Sequence, residues 1–282
     1  MNKKLAVITV GWHYSLHFFK TMIKQVVPSG WDVNYFVVAH RDPSYAVGEK
    51  KVTIESTDLT RRLDFMLYKE IATLDDIKQC GWNYKEYPNT MGGWDCFNQW
   101  SEDHDYNDYD MFLFTDDDNF IISDQLLIDV LEDNFETIVK ANLDTREPEF
   151  VKYDNNWLVM SNAVCNGSLR LRGTLDFFKR ELIEQMGGKF DMRQITLTRE
   201  GKFDTPPNHM DIDNWNDNVM AYHKFMMDNG LLSRVRYMSP LYRISNYCIE
   251  GERGFISKNA TPLGHYFNEG IELLIEEGIL NV

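Results

Sequence analysis

The chain is poor in positive charge and has no long apolar run. Its 282 residues carry 29 Lys and Arg against 44 Asp and Glu, a formal charge of -15. That balance argues against a broad, sequence-independent grip on nucleic acid or anionic lipid, while leaving room for a local basic groove. No stretch reaches the ~20 consecutive apolar residues of a spanning helix. The opening MNKKLAVITVGWHYSLHFF places two lysines ahead of an apolar run, as signal peptides do. However, the run is short, His13 and His17 interrupt the residues after it, and no small-residue cleavage site appears. We read Leu5 to Val10 as a buried first β-strand and the chain as a soluble, cytoplasmic protein. The sequons at Asn166 and Asn259 are then incidental.

Cysteine is also scarce. Cys80, Cys96, Cys165 and Cys248 lie far apart with no CxxC spacing, which excludes a zinc knuckle and a dithiol motif and leaves reduced, mostly buried thiols. Internal repeats, low-complexity tracts and credible linkers are all missing. With 43% hydrophobic residues the chain can bury a full core. We expect a single domain over 1–282, residues 1–120 forming a nucleotide-binding half and 121–282 an acceptor-side half.

What is present alternates. Ser15 can cap a helix with Leu16, Phe19, Ile23 and Val26 at helical spacing, ending at Pro28-Ser-Gly. A β-rich run follows at 33–39, then a helical pattern over 58–80, a short strand near 85–87, a helix after the Gly pair of NTMGGWDCFNQW, and the strand DMFLFT. Beyond it, Leu126 to Val139 and Leu175 to Met186 read as amphipathic helices, with NNWLVM (155–160) as a strand. Residues 144–156 read as a long polar connection. Trp215, Val219, Tyr222 and Met226 mark another helix that ends in DNG, and LLSRVRYM reads as the strand after it. Alternating strands and helices imply an α/β fold, with a mostly parallel central sheet and helices on both faces.

The densest feature is MFLFTDDDNF, residues 111–120. Asp116, Asp117 and Asp118 close the most apolar strand of the chain, and in parallel α/β sheets ligands bind beyond the carboxyl ends of strands. Packed carboxylates raise one another's pKa unless a cation compensates. A hard divalent ion with an anionic oxygen co-ligand answers this economically. An Asp-rich turn or helix cap ahead of IISDQLL is the plainer reading.

An apolar strand closed by DDD, with GGWDCFNQW ahead of it, resembles the core of GT-A glycosyltransferases, family-2-like members in particular. The resemblance is carried by short motifs over roughly residues 4–270. It implies a single Rossmann-like GT-A domain, a nucleoside-diphosphate sugar donor with UDP favoured, Mn²⁺ or Mg²⁺, and a hydroxyl-bearing acceptor, a glycan first. The charge counts against a nucleic-acid acceptor without excluding one. On the family pattern Asp116 addresses the nucleotide ribose and shares in the metal site, Asp118 ligates the metal, and Asp117 is a supporting or shared group.

Further along, NWNDNVMAYHKF is similar to the segment where inverting members carry an acidic pair, here Asn216-Asp217. Asp217 is thus the expected general base, which must reach the acceptor hydroxyl to take its proton. A negative charge suiting a helix N-terminus explains the same residue, and Asp211 and Asp213 compete if the register differs. TPLGHYFN supplies His265 as a late metal ligand, imidazole being a suitable donor for Mn²⁺.

Between these two lies YRISNYCIEGERGFISKN, a segment suited to closing over the donor, with Arg253 and Lys258 steadying the leaving diphosphate; Arg243 is a lesser candidate. Asn166, Gly167 and Ser168 fall where related enzymes line the donor sugar, with Arg170 and Arg172 flanking them. Thr9, Gly11 and Asp42 are the expected base pocket, although Ala39 and His40 stand where the family commonly keeps an acid. Trp12, Trp94 and Trp100 are assigned no role, since aromatics serve cores more often than sites.

Three alternatives remain open: a retaining GT-A enzyme with no need of Asp217, a nucleotidyltransferase, and a non-enzymatic acidic metal-binding protein. VGWHYSLHFF has neither the Gly-rich nor the basic character of a nucleotidyltransferase loop.

Overall fold

The computed structural model describes residues 2–39, 43, 70–87, 96–134, 136–141, 148–152, 155–161, 175–189, 222, 225–226, 228–238, 247–250, 271–278 and 280. Strand β1 (Lys3–Gly11) is apolar on both faces because it is central and parallel on both sides. Period-two alternation sends Ala6, Ile8 and Val10 to one core and Leu5 and Val7 to the other. Its neighbours β2 (Trp31–Ala39) and β4 (Met111–Asp116) run parallel to it, and β3 (Asn83–Glu86) extends the sheet beyond β2.

The nine-stranded order is β3-β2-β1-β4-β9-β8-β10-β6-β7, where β6 is Glu136–Ala141, β7 Pro148–Lys152, β8 Val159–Ser161, β9 Leu175–Lys179 and β10 Val235–Tyr237. Only β9 and β6 oppose the direction of β1. The expected α/β architecture with a mostly parallel sheet is therefore present. A second, two-stranded sheet pairs β5 (Asn119–Ile121) with β11 (Cys248–Glu250).

Helices cover both faces. On one, α1 (Leu16–Met22), α2 (Leu74–Gln79) and α4 (Leu126–Leu131) bury Phe18, Phe19, Ile77, Leu127 and Val130 with Leu113 and Phe177. On the other, α3 (Cys96–Trp100) and α5 (Arg180–Gln185) bury Phe97, Trp100, Leu182 and Ile183 with Phe112, Phe114 and Phe178. Phe97, Trp100, Phe112 and Phe178 pack edge-on, tilted or stacked at ring distances of 5.3–5.9 Å, which makes Trp100 a core residue.

Several sequence expectations need correction. Ser15 caps α1 as expected, but the helix stops at Met22, short of Pro28. The chain beyond it is captured by another loop: the Val26 N–H donates to Asp124 O at 2.8 Å, and the Gln25 side chain bonds Ser123 O and the Leu126 N–H. The helix expected over Leu126 to Val139 breaks at Leu131, because Asp133 takes a left-handed φ of 63° and β-branched Thr137, Ile138 and Val139 enter β6. Leu175 to Met186 divides into β9 and α5, as pairing along β4 from Met111↔Lys179 to Thr115↔Leu175 overrides the helical spacing. Part of the polar connection of 144–156 is strand β7, hairpin partner of β6. In NNWLVM the strand begins only at Val159, and β10 follows a short 3₁₀ turn at Leu232–Arg234. Of the pattern over 58–80, the helix is Leu74–Gln79; residues 58–69 lie outside the described residues.

Helix α2 begins with a capping box, Thr73 and Asp76 each accepting from the other's backbone N–H. The Thr73 hydroxyl and N–H hold the Asp76 carboxyl below its ordinary range. Because the folded-state pKa is lowered, this stabilisation is complete above the ordinary carboxylate pKa and is lost as pH falls through the lowered value. Thr73→Ala should cost about 1 kcal/mol, and Asp76→Asn should flatten the acid side of the stability profile, both read by urea unfolding between about pH 3 and pH 7.

Candidate active site at the carboxyl ends of β1 and β4

The strand order makes a switch point. From β1 the chain moves outward to β2 and β3, then returns to β4 on the other side of β1. A crevice necessarily opens beyond the carboxyl ends of β1 and β4, where open α/β sheets bind ligands. Gly11 ends one strand and Asp116 the other.

The two ends are tied by the middle aspartate. Asp117, fully buried, accepts from the backbone N–H groups of Trp12 (3.0 Å), His13 (2.9 Å to each oxygen) and Tyr14 (2.7 Å). Three convergent N–H groups form a nest that favours an anion, and the anion is supplied by the chain itself. Tyr14 adopts a left-handed φ of 55°, uncommon for a bulky residue, and its N–H gives the shortest of these bonds. The same turn folds Tyr14 back over the strand end. A Cβ on Gly11 would come within 2.7 Å of Tyr14 Oη and 3.0 Å of a Val37 methyl, so Gly11 is where the aromatic ring needs room. Burial, then the neighbouring Tyr84 and Asp117, push the Tyr14 hydroxyl well above its ordinary pKa.

The triplet turn has its own clamp. Asn119 Nδ2 donates to Thr115 Oγ1 at 3.1 Å and to Asp116 O at 2.9 Å, closing the turn that carries the aspartates. Its neighbour Phe120 stacks on His17 at 4.1 Å, and His17 Nε2 contacts Ile121 O at 2.9 Å, joining α1 to β5. Burial lowers the His17 pKa and favours the neutral ring. Since β11 runs antiparallel to β5, Glu250 sits opposite Asn119, the residue directly after the triplet.

Asp116, half-buried, and Asp118, 8% exposed, stand at the mouth. His13, 5% exposed, brings Nε2 to 3.6 Å from Asp118 Oδ2. These oxygens and the imidazole are donors that suit a divalent cation with phosphate oxygens completing its shell. Among the described residues no three or more His, Cys, Asp or Glu are grouped to hold a metal ion, so such an ion would draw other ligands from its co-substrate, from water or from residues elsewhere in the chain.

Of the expected site residues, the structure brings together Gly11, Asp116, Asp117 and Asp118. Thr9 is fully buried within β1, below the mouth, paired across to Val37 and Thr115. Asp42, Asn166, Gly167, Ser168, Arg170, Arg172, Asp211, Asp213, Asp217, Arg243, Arg253, Lys258 and His265 lie outside the described residues, as does Trp94. Sequence reasoning missed His13, noted only for interrupting an apolar pattern, and Asn119, whose place directly after the triplet is a turn signal. A cleft of about 570 Å³ lies elsewhere, lined by Thr21, Lys24, Gln25 and residues 121–124, and includes none of Asp116, Asp117 and Asp118. No helix among the described residues is long and apolar enough to cross a membrane.

Asp117→Ala should leave three N–H groups without their acceptor and destabilise the fold by about 3 kcal/mol or more. Asp116→Ala should stay within about 1 kcal/mol, and urea unfolding separates the two. Gly11→Ala should fall on the destabilised side as well, and Gly11→Ala combined with Tyr14→Phe should recover part of the loss.

No protein-family model matches the chain, and comparison with curated proteins gives no match. Among solved structures it is similar to TarS 1-349 from S. aureus at 12% identity and a TM-score of 0.41, covering 88% of this chain and 60% of that one. It is similar to the glycosyltransferase GlyE of Streptococcus pneumoniae TIGR4 at 6% identity and a TM-score of 0.40, covering 84% and 46%. A cytidylyltransferase from Leptospira borgpetersenii gives 11% identity and a TM-score of 0.42, covering 100% and 99%. This chain thus spans only about half the length of the first two.

Proposed function

We propose that this chain is a metal-dependent glycosyltransferase that moves a sugar from a nucleoside-diphosphate donor, a UDP-sugar first, to the hydroxyl of a glycan acceptor with inversion. The observation that carries the reading is the Asp117 nest. By binding the loop after β1 to the end of β4, it leaves Asp116 and Asp118 at the switch-point crevice, where a nucleotide would be received.

In this reading Asp116 contacts the ribose and Asp118 the cation, with His265 as a late ligand and Asp116 as a shared one. Gly11 at the end of β1 and Thr9 beneath it back the base, with Asp42 beside them. The cation, when bound, supplies Lewis-acid stabilisation of charge on the departing diphosphate. Arg253 and Lys258 add positive charge at the same group, from a segment that follows Glu250 beside the triplet. Asp217 takes the acceptor proton as that oxygen attacks the anomeric carbon from the opposite face. The reading is supported by Tyr222, whose hydroxyl is hydrogen-bonded to buried Asp176 on β9, next to β4. Asp217 is five residues ahead of Tyr222, a stretch spanning at most about 18 Å.

A thermal-melt panel of UDP, GDP, CDP and ADP, each with and without Mn²⁺, tests the donor site. A ligand at about 100 times its Kd adds about 2.7 kcal/mol. One nucleotide should stabilise the wild type only with Mn²⁺, and Asp118→Ala should lose the effect. Stabilisation by metal alone, with no nucleotide active, would reduce the aspartates to a structural ion site. Asp217→Asn should abolish transfer and spare nucleotide binding; normal turnover in that variant would remove Asp217 from the base role.

A further inference from the structure

We infer that His13 is a ligand of the divalent cation, working as a pair with Asp118; the inference rests on the metal-dependent reading above and adds to it a residue from the loop after β1. The backbone of His13 is fixed, because its N–H is bound to both oxygens of buried Asp117 at 2.9 Å. The imidazole on this held main chain is buried and brings its Nε2 to 3.6 Å from Asp118 Oδ2. These two atoms are too far apart for a hydrogen bond. They are well spaced for a shared ion: with bonds of about 2.1 Å, a cation between them subtends an angle of about 120°, which a small side-chain rotation closes to an octahedral or tetrahedral value. Both groups are shielded, at 5% and 8% exposure, yet lie at the crevice between β1 and β4.

Two consequences distinguish a pair from a closed cage. With one carboxylate and one imidazole nearby and no third such residue grouped with them among the described residues, the ion depends on phosphate oxygens for much of its shell, so cation and nucleoside diphosphate should bind cooperatively. An imidazole also tilts preference from Mg²⁺ toward Mn²⁺, since nitrogen donors favour transition ions.

The test uses the intact chain with Mn²⁺ alone and with each of UDP, GDP, CDP and ADP, followed by pulsed electron paramagnetic resonance and by Mn²⁺ titration. Wild type should show nitrogen coupling to Mn²⁺. His13→Gln should lose that coupling or the larger part of it, bind Mn²⁺ at least about tenfold more weakly, and discriminate less between Mn²⁺ and Mg²⁺. His265→Gln, measured alongside, identifies any coupling that comes from the late histidine. Coupling and Mn²⁺ affinity unchanged in His13→Gln would overturn the inference while leaving the donor reading intact. If wild type binds Mn²⁺ through His13 but without nucleotide linkage, the ligand assignment stands and the donor reading falls. Absence of Mn²⁺ binding under every condition overturns both. Should His13→Gln fail to fold, wild-type protein decides: the His13 ring resonances should broaden at substoichiometric Mn²⁺, and sharp His13 resonances beside a bound ion would contradict the assignment.

Discussion

The buried carboxylate of Asp117 is the constraint on which the site depends. A lone buried anion is costly, and its cost is offset only by donors that stay in place. Here the donors are three successive main-chain N–H groups of the loop after β1. The interaction is reciprocal: the loop gives Asp117 its solvation, and Asp117 holds Tyr14 in a left-handed conformation that seats its ring over Gly11. From Tyr14 the chain enters α1 through the Ser15 cap, so the first helix of the sheet's covering layer starts from the same knot.

This resolves how three adjacent like charges end a buried strand. Alternation along the chain separates them: Asp117 is turned inward and solvated by the nest, while Asp116 and Asp118 lie toward the crevice, with His13 beside the latter. Asn119 then clamps the turn through Thr115 and the Asp116 carbonyl. The triplet thus divides into one inward-turned, structural carboxylate flanked by two that lie toward the strand ends. Asp116 and Asp118 flank it at the switch point between β1 and β4, where the topology leaves a crevice, and β11 pairs with β5 directly after the triplet.

The parallel half of the sheet was legible in the sequence because buried central strands read as continuous apolar runs, as β1, β4 and the second half of β2 do. Ser15 was legible as a cap for the same local reason. Other elements depended on contacts that no local pattern records. Leu175 to Lys179 has helical spacing but pairs with β4, and Val26 leaves its helix because Asp124 captures its N–H. The triplet stood out in the sequence as a candidate site, but its internal division did not, since which carboxylate turns inward is decided by a loop more than a hundred residues upstream. His13 was passed over for a related reason: its proximity to Asp118 spans two strand ends, which sequence spacing does not express.

The central claim is that a nucleoside diphosphate and a divalent cation occupy the crevice organised by Asp117. A crystal structure with Mn²⁺ and the nucleoside diphosphate that stabilises the protein tests this most directly. The account predicts the diphosphate beyond the carboxyl ends of β1 and β4, with the cation between it and Asp118 and the Asp117 nest intact. A nucleotide found away from those strand ends, such as in the cleft beside Lys24 and Ser123, would contradict it.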